Sequence, residues 1–132
     1  MSWTRAHWLA GVLALLVFLL TGQYMLHVAR APQLESVPRL LLRSRHLFVM
    51  MSAVANLALA GSRPTTIAQK IASSLVLLSP FALTAAFFLD PVRGTRSSQL
   101  FHFSMYGVFV AGLLLAIANR PRRGTPPPRM LD

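Results

Sequence analysis

The chain contains no cysteine, which excludes structural disulfides, thiolate chemistry, Fe–S clusters and Cys-ligated zinc. Acidic residues are nearly as scarce: Glu35, Asp90 and Asp132 are the only three. Lysine is reduced to Lys70 against twelve arginines, a bias that fits a GC-rich bacterial coding sequence. Charge of either sign is missing altogether from four stretches, 6–29, 46–62, 71–89 and 97–119, which together hold 83 of the 132 residues.

Those four stretches are what the chain has instead. A helix needs roughly 20 mostly apolar residues to cross the hydrocarbon core, with ~17–25 the usual range. Three stretches fit directly, and 46–62 fits comfortably once Pro38–Arg45 is counted as its interfacial start. Hydrophobic residues make up 55% of the chain and charged residues 12%, whereas a soluble domain carries about 25% charged. The formal charge of +10 raises a nucleic-acid reading, since basic chains neutralise phosphates. Here the basic residues are spread through every loop and both tails, where arginines flank membrane spans. The charge reads as membrane anchoring, with no nucleic-acid partner. Arg120, Arg122, Arg123 and Arg129 form the one cluster without a span on both sides, in a tail (120–132) that includes Pro126–Pro128. That basic, Pro-rich tail cannot build a core and is expected to lie disordered against anionic headgroups.

The first stretch imitates a signal peptide, with Arg5, an apolar run from Trp8 to Leu20 and Ala29-Arg30-Ala31. The small-residue site lies far beyond the apolar run, and Pro32 would follow the cut, so a retained helix is the better reading. Punctuation divides the rest. Pro32 ends helix 1, because the residue before proline is pushed out of the helical region. Ser36 and Pro38 start helix 2, with Pro38 in the first turn, where its missing N–H costs nothing. Gly61 and Pro64 end it. Helix 3 runs to Asp90 and stops at Pro91. Pro80 inside it removes one backbone hydrogen bond, which Ser79 or Thr84 is placed to replace, and predicts a kink.

The expected fold is an all-α membrane protein, a four-transmembrane-helix up-down-up-down antiparallel bundle, because short connections make sequential helices neighbours. It forms a single domain, 1–119, with spans near 6–29, 38–61, 67–90 and 99–119. Small residues let helix backbones approach. Gly107 with Ala111, Gly112 with Ala116, Ala53 with Ala60 and Ala10 with Ala14 mark the expected packing faces. Basic residues number seven on the side of both termini and six on the other, too even to set the orientation by the positive-inside rule.

This topology collects polar residues at one end: Gln23, Tyr24 and His27; Arg39, Arg43, Arg45 and His46; Asp90; His102 and Tyr106. Two readings compete for His27, His46 and His102. Neutral imidazoles on facing helices hold b-type haem, and a quinone pocket would use the same residues with the arginines. Against this, histidine, tyrosine and arginine at span ends keep their polar tips wet among headgroups. The anchor reading is favoured, because none of the three is placed deep by its position. Asp90 sits at a helix C-terminus, the unfavourable end of the dipole, and a tie to Arg43 or Arg45 would relieve it. Asn56 and Ser52 lie four apart on helix 2, near the middle of the span, and an amide there wants a partner across a helix interface. The methionines form no copper-binding cluster, and no metal site is expected.

Thr21-Gly22-Gln23-Tyr24-Met25, Arg43-Ser44-Arg45-His46, Asn56-Leu57 and Phe87-Phe88-Leu89-Asp90-Pro91 together resemble an uncharacterised family of small bacterial four-helix inner-membrane proteins. The resemblance covers roughly residues 18–92; it implies the same bundle and brings no activity, cofactor or site. The expectation is therefore a multi-pass inner-membrane protein in a structural, accessory or assembly role, with no catalytic set and no cofactor, beside a larger membrane complex or a second copy. The alternative is a haem b- or quinone-binding redox protein. A proton-coupled transporter is disfavoured because no span contains an Asp or Glu within it. No nucleophile–base–orienter set supports a hydrolase either.

Overall fold

In the computed structural model the described residues are 2–30, 33–34, 36–93 and 99–118, with side chains for all of these except 90–93, 100, 116 and 118. The tail (120–132), Glu35 and the side chains of Asp90 and Ala116 therefore lie outside the described residues. Among the described residues the chain is all-helical, with four helices and no strand: α1 (Trp3–Gln23), α2 (Ser36–Leu59), α3 (Ile67–Arg93) and α4 (Gln99–Ala118). Two are long and apolar enough to cross a membrane, Trp3–Val28 and Ile67–Leu89, and α4 contributes the shorter apolar segment Phe101–Leu115. The charged first turns of α2, with Arg39, Arg43 and Arg45, set it apart from these.

Helix ends follow local chemistry. Ser2 caps α1, its side chain accepting from the Arg5 N–H at 3.4 Å. Thr66 and Gln69 make a reciprocal capping box at the start of α3. The Gln69 N–H donates to Thr66 Oγ1 at 3.2 Å, and Gln69 Oε1 accepts from the Thr66 and Thr65 N–H groups at 3.1 and 2.9 Å. α1 ends differently, by widening into a π-helical turn, Tyr24–Val28, closed by the Ala29 N–H on the Tyr24 carbonyl at 2.9 Å. Arg30 then turns the chain with φ 45°, a left-handed conformation that glycine usually fills.

The expectation that Pro91 stops helix 3 is corrected: α3 continues through it to Arg93. A proline in the last turn removes a single i→i−4 bond, which the surrounding turn tolerates. At Pro80 the missing N–H frees the Val76 carbonyl. Ser79 Oγ donates to it at 2.8 Å, and Asn56 Nδ2 donates to it from α2 at 2.9 Å.

The helices pack mainly in chain order, α1 on α2, α2 on α3 and α3 on α4, with a smaller α1–α3 contact and only a slight α2–α4 one. Neighbours run antiparallel, since the start of α1 meets the end of α2 and the start of α3 through His7, Asn56 and Ser73. Extensive α1–α4 packing, which would close a square bundle, is missing from the principal interfaces. An apolar groove is left between α2 and α4 instead.

Residue sizes are inverted relative to a soluble core. Among the described residues, half of the buried apolar ones are alanines: Ala10, Ala14, Ala53, Ala72, Ala86 and Ala111. Many large apolar side chains point outward on every helix, among them Leu20, Val54, Phe81 and Phe109, while Leu42, Leu83, Phe87 and Phe101 are buried. Close approach is tightest at Gly11, where an added Cβ would sit 2.7 Å from Leu57 Cγ and 3.1 Å from the Ala53 carbonyl oxygen. Small residues inside and large ones outside are what backbone-to-backbone helix packing in lipid requires.

Candidate functional site

The most buried polar chemistry lies at the end of the molecule holding the α2–α3 turn. His7, in the second turn of α1, is fully buried. Its Nδ1 lies 2.8 Å from Asn56 Oδ1 and its Nε2 lies 2.6 Å from Ser73 Oγ. Asn56 sits one turn before the end of α2, and Ser73 in the second turn of α3. Three helices are thus joined through one imidazole. Trp3 stacks beside it, with ring centroids 6.2 Å apart.

The direction of each bond follows from the amide. Asn56 Nδ2 donates to two carbonyls, Ser52 at 2.9 Å and Val76 at 2.9 Å. Its Oδ1 is therefore the end that faces His7, and an amide oxygen only accepts. Nδ1 of His7 must then carry the proton, and in the neutral ring Nε2 accepts from the Ser73 hydroxyl. Each member has one role, and no buried side-chain nitrogen or oxygen among the described residues lacks a partner. Such a network leaves no group for a substrate to claim; its chemistry is that of a tie.

The opposite end is built from rings. His46 is half-buried between α1 and α2, stacked on Phe18 with centroids 4.1 Å apart and planes at 16°. Its Nδ1 lies 3.0 Å from Thr21 Oγ1, and that hydroxyl is also within reach of the Val17 and Phe18 carbonyls. Gly22 makes room for the ring: a Cβ there would stand 3.4 Å from His46 Cε1. Tyr24 meets Phe87 and Phe88 edge-on, and Phe48 meets Phe101 the same way. Arg45 is 3% exposed, with its guanidinium carbon 4.5 Å over the Phe101 ring and Nη1 donating to Ser44 Oγ at 3.3 Å. Arg43 is exposed. Of the two arginines considered for Asp90, Arg45 is the inward one, while the Asp90 side chain lies outside the described residues.

The three histidines grouped by sequence occupy unlike positions. His27 is exposed on the π-helical turn, His46 lies between α1 and α2, and His102 is half-buried on α4 beside Tyr106, with ring centroids 6.3 Å apart. Among the described residues no group of three or more His, Cys, Asp or Glu could hold a metal ion. Sequence reasoning did not single out His7 and placed Asn56 near the middle of its span. The missed signal was register: with a short α2–α3 turn and antiparallel helices, residues about one turn from these helix ends lie level. Asn56-Leu57 also meets α1 twice, through His7 and through Gly11.

Comparison with protein-family models, curated proteins and solved structures finds no match.

Proposed function

We propose that this chain is a multi-pass protein of a bacterial inner membrane, with all four helices spanning as an up-down-up-down antiparallel bundle. Its role is structural, accessory or assembly-related, without a catalytic set, beside a larger membrane complex or a second copy. The observation that carries this reading is the saturated interior: His7, Asn56, Ser73, Ser52 and Ser79 each spend their polar atoms on neighbouring helices or on their own backbone. An outer surface of large apolar side chains suits lipid on all sides. Membership of the small four-helix membrane family that the sequence resembles belongs to the same proposal.

A haem protein of the alternative class would carry its colour through purification. The test is the visible spectrum of the full chain in mild detergent, oxidised and reduced, together with the thermal midpoints of His27→Gln and His102→Gln. No Soret band is expected, and both variants should express and melt like the parent. A reducible Soret band lost in either variant would replace the structural reading with the redox one.

A further inference from the structure

Among the described residues, the α2–α4 groove is an apolar cavity that the fold leaves unused by its own packing. It has a volume of about 450 Å³ and is walled by Phe48, Met51 and Ser52 of α2, Leu83 of α3, and Met105 and Gly112 on α4, among others. A Cβ added at Gly112 would meet nothing within 4 Å. Met51, Phe109 and Leu113 stand exposed along its open side. Its upper end, towards the starts of α2 and α4, is closed by the Phe48–Phe101 edge contact with Arg45 over Phe101.

Size and charge select the occupant. From Met105 to Leu113 the groove runs about 12 Å at ~1.5 Å per residue, which gives 450 Å³ a mean cross-section of ~40 Å². A helix with side chains is about 10–12 Å across, ~80–110 Å² in section, two to three times that figure, so a whole helix could only lie across the groove's mouth. An extended hydrocarbon chain fits within it. The volume lies within the ~300–1,000 Å³ of ordinary ligand sites. Among the described residues, the end of the molecule above the groove carries Arg30, Arg39, Arg43 and Arg45. Of these, Arg30 and Arg43 are exposed. A surplus of guanidinium at headgroup depth favours phosphate.

We propose that the α2–α4 groove seats one acyl chain of an anionic phospholipid, with its phosphate in the arginine-rich field at the end where α2 and α4 begin. The proposal rests on the membrane reading above. The chain is held by apolar walls and the head by charge, so the site distinguishes lipids by headgroup while tolerating different tails.

The experiment reconstitutes the full chain in nanodiscs and compares phosphatidylglycerol with phosphatidylcholine, each spin-labelled on an acyl chain. The parent should immobilise the anionic lipid at least threefold more than the neutral one. Gly112→Leu and, independently, Val108→Phe, both on the α4 wall of the groove, fill it and should reduce that preference to none while melting like the parent. Leu16→Phe, on the exposed face of α1, should leave it intact. Equal immobilisation of the two lipids by the parent overturns the site, as does a preference that survives both filling variants. So does a quinone or a cross-linked second copy that co-purifies with the parent and is lost on filling, since the groove then belongs to that occupant. Release of the parent from membranes by alkaline carbonate would instead overturn the membrane reading itself, which keeps the two failures apart.

Discussion

The two ends of the molecule hold their helices together by different physics, although both use a histidine. At the turn end, His7 makes two directed hydrogen bonds, each with a single geometry, inside a site with no exposure. At the other end, His46 lies flat on Phe18 with Phe87 tilted beside it, and shares one hydroxyl that already has backbone acceptors. Directed bonds fix register, and losing one strands its partner in an apolar interior. Ring packing is forgiving, because a neighbour can slide and keep most of its contact. A histidine's part in this protein is therefore set by what faces it, not by how near a helix end it stands.

Breaking the directed end should have the largest effect. Asn56→Ala removes the acceptor for His7 Nδ1 and one of the two donors to the Val76 carbonyl that Pro80 leaves free. Membrane-buried hydrogen bonds average about 0.6 kcal/mol and reach ~1.7, and a stranded buried donor adds ~1–3 kcal/mol. A loss of about 2–3 kcal/mol is expected, read as a lowered thermal midpoint in detergent. His7→Ala should cost less when added to Asn56→Ala than alone, by roughly 1 kcal/mol, because each single change already strands the other's group. Strictly additive losses would dissolve the network into independent contacts.

The ring end should yield less. His46→Leu keeps an apolar body against Phe18 and Gly22 and gives up the Thr21 contact, yet the Thr21 hydroxyl still has the Val17 or Phe18 carbonyl to donate to. Nothing is stranded, so a cost of about 0.5–1 kcal/mol is expected. A loss matching that of Asn56→Ala would erase the contrast between the two ends.

What could be read from sequence divides along the same line. Four helices follow from four uncharged stretches and the prolines and glycines between them, which are local signals. The capping box at Thr66 and Gln69 is also local. The His7–Asn56–Ser73 tie spans 66 positions of chain from first member to last, and only the relative heights of three helices bring it together. The close approach at Gly11 and the unfilled α2–α4 groove depend likewise on which helices pack and which do not. Histidine grouping by helix end placed His27, His46 and His102 at the same level but carried no information about facing: His27 is exposed, while His46 and His102 are half-buried against different neighbours.

The smallest effect expected has the opposite sign and concerns how the ring end is closed. There the backbone is bent where the turn end is capped by side chains: α1 widens into the Tyr24–Val28 π-turn, and Arg30 takes φ 45°. A residue with a Cβ gives up roughly 1–2 kcal/mol in this left-handed region, and glycine does not. Glycine in turn loses more chain entropy on folding, by about 0.4–1 kcal/mol. The difference leaves Arg30→Gly more stable than the parent by about 0.5 kcal/mol. Arg30 is exposed, and the hydrogen bond its carbonyl accepts from the Gln33 N–H at 2.8 Å is a backbone bond that the substitution keeps. The measurement is the thermal midpoint of Arg30→Gly against Arg30→Ala, since alanine also removes the guanidinium but keeps the Cβ. A gain for glycine alone assigns the effect to the backbone. Equal behaviour of the two variants would mean that the guanidinium, not the turn, governs stability at this end.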